Sequence, residues 1–114
     1  MSSSPNNMAM QRICHINDIT EGTSRGFRGE GFTVFAVRKD EQLYLYHNRC
    51  PHLGVELEWV EDQFLDYEGC LIQCATHGAL FTIEGGRCVG GPCLGETLQA
   101  AEFTIKDDLV WLLQ

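Results

Sequence analysis

Apolar residues in this chain come in short bursts rather than in helical stripes. Glycine and turn residues interrupt them so often that no pattern with a 3.6-residue period lasts a dozen positions. Few helices are therefore expected. β-Branched and aromatic runs predict strands over 12–16, 32–37 and 43–47, the last two joined as a hairpin through residues 38–42. Further strands are expected over 55–60, 64–67, 70–73, 79–83, 98–105 and 109–113, with turns at Glu84-Gly85-Gly86 and Lys106-Asp107-Asp108. Residues 17–31 hold four glycines and few apolar positions, which predicts a surface loop, with one helical turn beginning after Asn17 or Asp18. Strands this short and this closely spaced imply an all-β antiparallel sandwich or barrel, with loops at one end free to carry a site.

At 114 residues there is room for one core. The expected organisation is a disordered tail over 1–10 and a single domain over 11–114. Apolar residues make up 44% and charged residues 21% of the chain, the balance of a water-soluble globular protein. No stretch approaches the roughly 18 apolar residues of a membrane span, and the opening MSSSPNNMAM lacks both halves of a secretory signal. A cytoplasmic location follows as the expectation. Sixteen acidic against eight basic residues give a net charge of −8, which disfavours nucleic acid and suits a protein partner with a basic docking face. In a reducing compartment, six cysteines are more often metal ligands or buried thiols than disulfides.

Two segments concentrate ligand chemistry, Cys50-Pro51-His52-Leu53-Gly54 and Cys74-Ala75-Thr76-His77-Gly78. Each offers one thiolate and one imidazole from a turn. A Cys₂His₂ zinc finger usually groups its cysteines in one element and its histidines in another. One of each per loop suits a binuclear centre better, although ligand type alone leaves a mononuclear zinc site open.

The two segments resemble the signature of the Rieske iron–sulfur family, C-x-H-x-G followed by C-x-x-H-G, with every ligand position filled. Leu57, Phe81 and Gly90-Gly91-Pro92 extend the resemblance, Gly91 and Pro92 matching a proline loop that covers the cluster. The resemblance implies antiparallel sheets with a small cluster-binding subdomain of two loops. It also implies one [2Fe–2S] cluster, one iron held by Cys50 and Cys74 and the other by His52 and His77. A departure is the 21-residue stretch between His52 and Cys74, longer than is common in the family, which implies an extra hairpin around residues 59–68.

Two ferric ions, two sulfides and two thiolates sum to zero charge, whereas four thiolates would leave two negative charges. Adding an electron to a neutral centre is easier, so histidine ligation raises the potential, to about −150 to +300 mV across such centres. Each ligand histidine can present its second nitrogen to a partner, which makes His52 and His77 candidate electron exits. High-potential relatives carry an extra cysteine in each loop, where this chain has Val55 and Thr76. They also place a serine and a tyrosine hydroxyl near the cluster, where it has Ala79 and Phe81. A potential near the low end is expected.

The resemblance thus implies a ferredoxin, not an enzyme, that takes electrons from a reductase and passes them to a terminal oxygenase or other oxidoreductase, with no small-molecule substrate of its own. A redox-sensing or regulatory module using the same cluster is the alternative, supported by Cys88 and Cys93 flanking the proline loop. A structural zinc module is the third. His15 and His47 are read as structural or surface residues, Cys14 and Cys70 as buried thiols, and Glu61-Asp62 and Asp107-Asp108 as solvated turn residues.

Overall fold

A computed structural model describes residues 10–29, 31–49, 51, 57, 62–66, 68–75, 78–91 and 95–113. Among these, nine strands and one short 3-10 turn make up the regular structure. The strands are β1 (Met10–His15), β2 (Ser24–Gly29), β3 (Phe32–Lys39), β4 (Gln42–His47), β5 (Leu71–Gln73), β6 (Leu80–Thr82), β7 (Cys88–Gly90), β8 (Phe103–Lys106) and β9 (Leu109–Leu113). They form three antiparallel sheets with strand orders β1-β9-β8, β2-β3-β4 and β5-β6-β7. The all-β expectation is met.

The middle strand β3 organises the core because both of its faces are covered. Val34 and Ala36 join Cys14, Ile19, Leu45, Val110 and Leu112 in one apolar cluster, next to the β1-β9-β8 sheet. Phe35 and Val37 point the other way, into a cluster with Tyr46, Leu57, Phe64, Ile72, Cys74, Phe81 and Ile83 next to the β5-β6-β7 sheet. This period-2 division explains why residues 34–37 read as a continuous apolar run.

The β3–β4 hairpin is tighter than its sequence suggests, since its strands extend to Lys39 and Gln42 and leave a two-residue turn. Asp40 and Glu41 both take left-handed backbone angles, with φ of 54° and 64°. Such turns match the twist of the flanking strands. The β8–β9 hairpin repeats the device with Asp107 and Asp108.

Several expectations need correction, among them the strand over 64–67, where the described residues form only an isolated Leu65↔Ile72 bridge. Residues 17–31 are not simply a loop: they contain β2, an edge strand whose Ser-Arg-Gly-Phe-Arg-Gly sequence shows little apolar alternation, because pairing from Ser24↔Val37 to Gly29↔Phe32 holds it to β3. The helical turn is Ile16–Asp18, capped by the His15 side chain, and so begins earlier than expected. The strand expected over 98–105 shortens to β8. Residues 98–101 instead satisfy their backbone through single bonds to Gly86, His47 and Leu45 and an isolated Tyr46↔Ala100 bridge. Apart from Leu57, the strand expected over 55–60 lies outside the described residues.

Candidate metal centre

The second motif grows out of the end of β5. Cys74 follows Gln73 directly, and its fully buried side chain lies in the cluster with Leu57, Phe64, Ile72 and Phe81. The loop it opens is closed by its own backbone. The Cys74 N–H donates to the Ala79 carbonyl at 2.9 Å, and the Gly78 N–H donates to the Cys74 carbonyl at 2.7 Å. Gly78 reverses the chain with a φ of 71°, after which Gln73↔Leu80 and Ile72↔Phe81 pairing carries β6 back along β5.

Gly91 reaches this loop from the far side of β7. A methyl group on its Cα would stand 2.8 Å from Ala79 Cα and 3.3 Å from the Gly78 carbonyl oxygen, so only glycine allows the two backbones to touch. Ala79 and Phe81 are fully buried beneath this approach and bring no side-chain hydrogen-bond donor to it.

The stretch between the motifs is anchored to β2. Ser24 Oγ donates to the Asp62 carbonyl at 2.7 Å and accepts the Phe64 N–H at 3.1 Å, while Asp62 Oδ1 accepts the Gly26 N–H at 2.8 Å. Phe64 then stacks on Phe35, ring centroids 4.3 Å apart and nearly parallel. A bridge between Leu65 and Ile72 pairs the stretch with β5. Asp62 thus lies in a turn as expected, but it is half-buried and hydrogen-bonded rather than solvated.

Of the four expected ligands, Cys74 lies within this packing, and Cys50, His52 and His77 lie outside the described residues, as do Pro92 and Cys93. Among the described residues no group of three or more His, Cys, Asp or Glu side chains is placed to hold a metal ion. His15 caps the 3-10 turn, its Nδ1 accepting the Asn17 N–H at 3.1 Å, and His47 is the partly buried last residue of β4.

The other described cysteines divide differently than expected. Cys14 is buried, and burial, followed by the nearby Asp18 carboxylate, pushes its thiol up to about 11. Cys70 is exposed, because Asp66 Oδ1 accepts the Cys70 and Leu71 N–H groups and holds the turn outward through Gly69. Cys88 is buried, its Sγ donating to the Gly90 carbonyl at 3.1 Å.

Sequence reasoning passed over Asn48. It is the one buried polar or charged residue among those described, only 5% exposed. Its Oδ1 accepts the Leu57 N–H at 2.9 Å. The available signal was its place two residues before Cys50, but an Asn ahead of a metal motif reads equally well as an ordinary turn residue.

The model of the Rieske [2Fe-2S] domain family matches residues 9–104. The ferredoxin of carbazole 1,9a-dioxygenase from Nocardioides aromaticivorans IC177 is 20% identical, with a TM-score of 0.73 over 92% of this chain and 97% of that one. A chain in a complex of reduced oxygenase and oxidized ferredoxin in carbazole 1,9a-dioxygenase is 24% identical, also with a TM-score of 0.73, over 92% of this chain and 93% of that one. At such identities these likenesses show a shared fold. Human apoptosis-inducing factor 3 is 25% identical over 113 residues, covering 96% of this chain, which spans 17% of that relative's length.

Proposed function

The chain belongs to the Rieske [2Fe-2S] domain family, and from that premise we propose that it is a one-electron carrier of the ferredoxin type. It receives electrons from a reductase and delivers them to a terminal oxygenase or a comparable redox enzyme, and it has no catalytic centre of its own. Cys50 and Cys74 hold one iron of a [2Fe–2S] cluster, and His52 and His77 hold the other. When bound, the cluster supplies a site that takes up and releases one electron.

The observation that carries the reading is the built cradle at the second motif. A buried cysteine opens a loop closed by its own backbone, and Gly91 packs against that loop so closely that a Cβ would collide with Ala79. One thiolate and one imidazole from each of two segments suit a binuclear iron centre better than a zinc finger, which usually groups its cysteines in one element and its histidines in another. The chain's own residues set the surroundings. Leu57, Phe64 and Phe81 exclude water from the buried side of Cys74, and Ala79 and Phe81 offer cluster sulfur no hydroxyl donor of their own, which favours a low potential.

An oxygenase as acceptor is supported by the solved complex of oxygenase and ferredoxin, one chain of which shares this fold. The net charge of −8 suits a partner with a basic docking face. We propose that this carrier is cytoplasmic and forms a single cluster domain over residues 11–114.

Potentiometric titration followed by visible absorption tests the proposal. A reversible one-electron wave in the lower part of the range of about −150 to +300 mV is expected. A midpoint well above zero would overturn the low-potential assignment, and the absence of any one-electron wave would overturn the carrier.

A further inference from the structure

We propose that Asn48 is a positioning residue that ties the two ligand-bearing segments to each other through the backbone of Leu57. The inference rests on the cluster reading above and extends it to a residue that binds no metal in that reading.

Asn48 stands just past the end of β4, two residues before Cys50. Its own N–H donates to the Thr33 carbonyl at 2.8 Å, which fixes this point of the chain to β3, the strand covered on both faces. Its side chain reaches past the first motif to the Leu57 N–H at 2.9 Å. Leu57 lies five residues beyond His52, is fully buried, and offers its carbonyl to the Ala75 N–H at 2.7 Å. Ala75 lies between Cys74 and His77. Three hydrogen bonds therefore run from β3 through both flanks of the first motif into the middle of the second.

None of the three is easily replaced. Buried N–H and carbonyl groups must find partners inside the protein, and Leu57 is closed to solvent. A leucine at position 48 would fill similar space yet leave the Leu57 N–H with no acceptor from that side chain. Leu57 could then shift to find water and carry with it the carbonyl that holds Ala75. Residues that orient metal ligands without touching the metal commonly matter in this way. Burying an amide is costly unless it is hydrogen-bonded, so the placement of the only buried polar residue among those described, beside the motif, calls for a role of this kind.

The test uses the purified protein with its iron, as wild type, Asn48→Leu, Asn48→Asp and Leu112→Ala. Aspartate keeps an oxygen that can accept the Leu57 N–H, and Leu112 is a buried residue of the other apolar cluster. The measurements are amide hydrogen exchange at Ala75, the electron paramagnetic resonance (EPR) spectrum of the reduced protein, and the rate of iron loss to a chelator. In Asn48→Leu, Ala75 exchange and iron loss should each quicken by about 10-fold or more and the g values should move. Asn48→Asp, which keeps the acceptor but buries a charge, should lose melting temperature, while its Ala75 exchange and g values stay closer to wild type than those of Asn48→Leu. Leu112→Ala should lower the melting temperature and leave the g values unchanged. Wild-type exchange and iron loss in Asn48→Leu would overturn the proposal. So would an equal effect of Leu112→Ala on Ala75 at a matched loss of melting temperature. A wild-type protein that binds no iron would overturn the carrier reading instead, and Ala75 exchange in Asn48→Leu would still decide whether Asn48 holds the second loop.

Discussion

Replacing Gly91 with alanine adds one methyl group where two backbones meet, and Gly95 provides an internal control. Both residues have left-handed backbones, with φ of 88° and 92°. Forcing an L-residue into that region costs about 1–2 kcal/mol. At Gly95 nothing lies within 4 Å of the added Cβ, so this strain is the whole cost. At Gly91 the Cβ would fall 2.8 Å from Ala79 Cα and 3.2 Å from Ala79 N, atoms that cannot rotate aside. Forced overpacking of this kind costs a further 1–3 kcal/mol or so. Gly91→Ala should therefore lose about 2–5 kcal/mol against about 1–2 for Gly95→Ala. At roughly 4 °C per kcal/mol for a domain of this size, it should melt about 4–12 °C below the control. Urea titrations followed by circular dichroism, with the visible bands reporting the second loop, measure the difference directly. If the two variants agree within about 0.5 kcal/mol, Gly91 is not in contact with Ala79 and the cradle is wrong.

Other consequences follow from single contacts. Tyr46 donates its hydroxyl to the Ile83 carbonyl at 2.6 Å, so Tyr46→Phe should lower the urea midpoint by the equivalent of about 1–3 kcal/mol; an unchanged midpoint would contradict that bond. Burial also pushes the Tyr46 hydroxyl up to about 12. The unfolded chain loses this proton near the ordinary tyrosine value while the folded chain keeps it, so stability should be intact below about pH 10 and fall as pH rises toward 12. Alkylation at pH 8 with peptide mapping should label exposed Cys70 and leave buried Cys14 slower by about 100-fold or more until the protein unfolds. The Glu21 carboxylate accepts the N–H groups of Asp40 and Glu41, which holds its pKa below the usual carboxylate range. Its contribution is present above that range and lost as pH falls through the lowered value, so Glu21→Gln should flatten the acid limb of the stability curve.

What could be read from sequence was what burial writes strongly. β3 and β4 are long apolar runs, and the paired Cys and His spacing stands out wherever its loops fall. The errors came where a neighbour decides the structure. β2 is polar and glycine-rich and is a strand because β3 offers it a ladder. Cys70 follows an apolar pattern, yet the Asp66 turn carries it outward. Asn48 shows the same limit at the site, since one asparagine becomes a strut only after Leu57 has folded over it. The contact between Gly91 and Ala79 joins residues twelve apart across β6 and β7; glycine spacing hints at it, and only the packed backbone shows it.

The most direct test of the central claim is an EPR spectrum of the dithionite-reduced protein, taken with iron, acid-labile sulfide and zinc analysis, in wild type and in Cys74→Ser and His77→Ala. The account predicts two irons and two sulfides per chain, a signal that appears on one-electron reduction, and its loss or marked change in both variants. Stoichiometric zinc with a silent spectrum would contradict it.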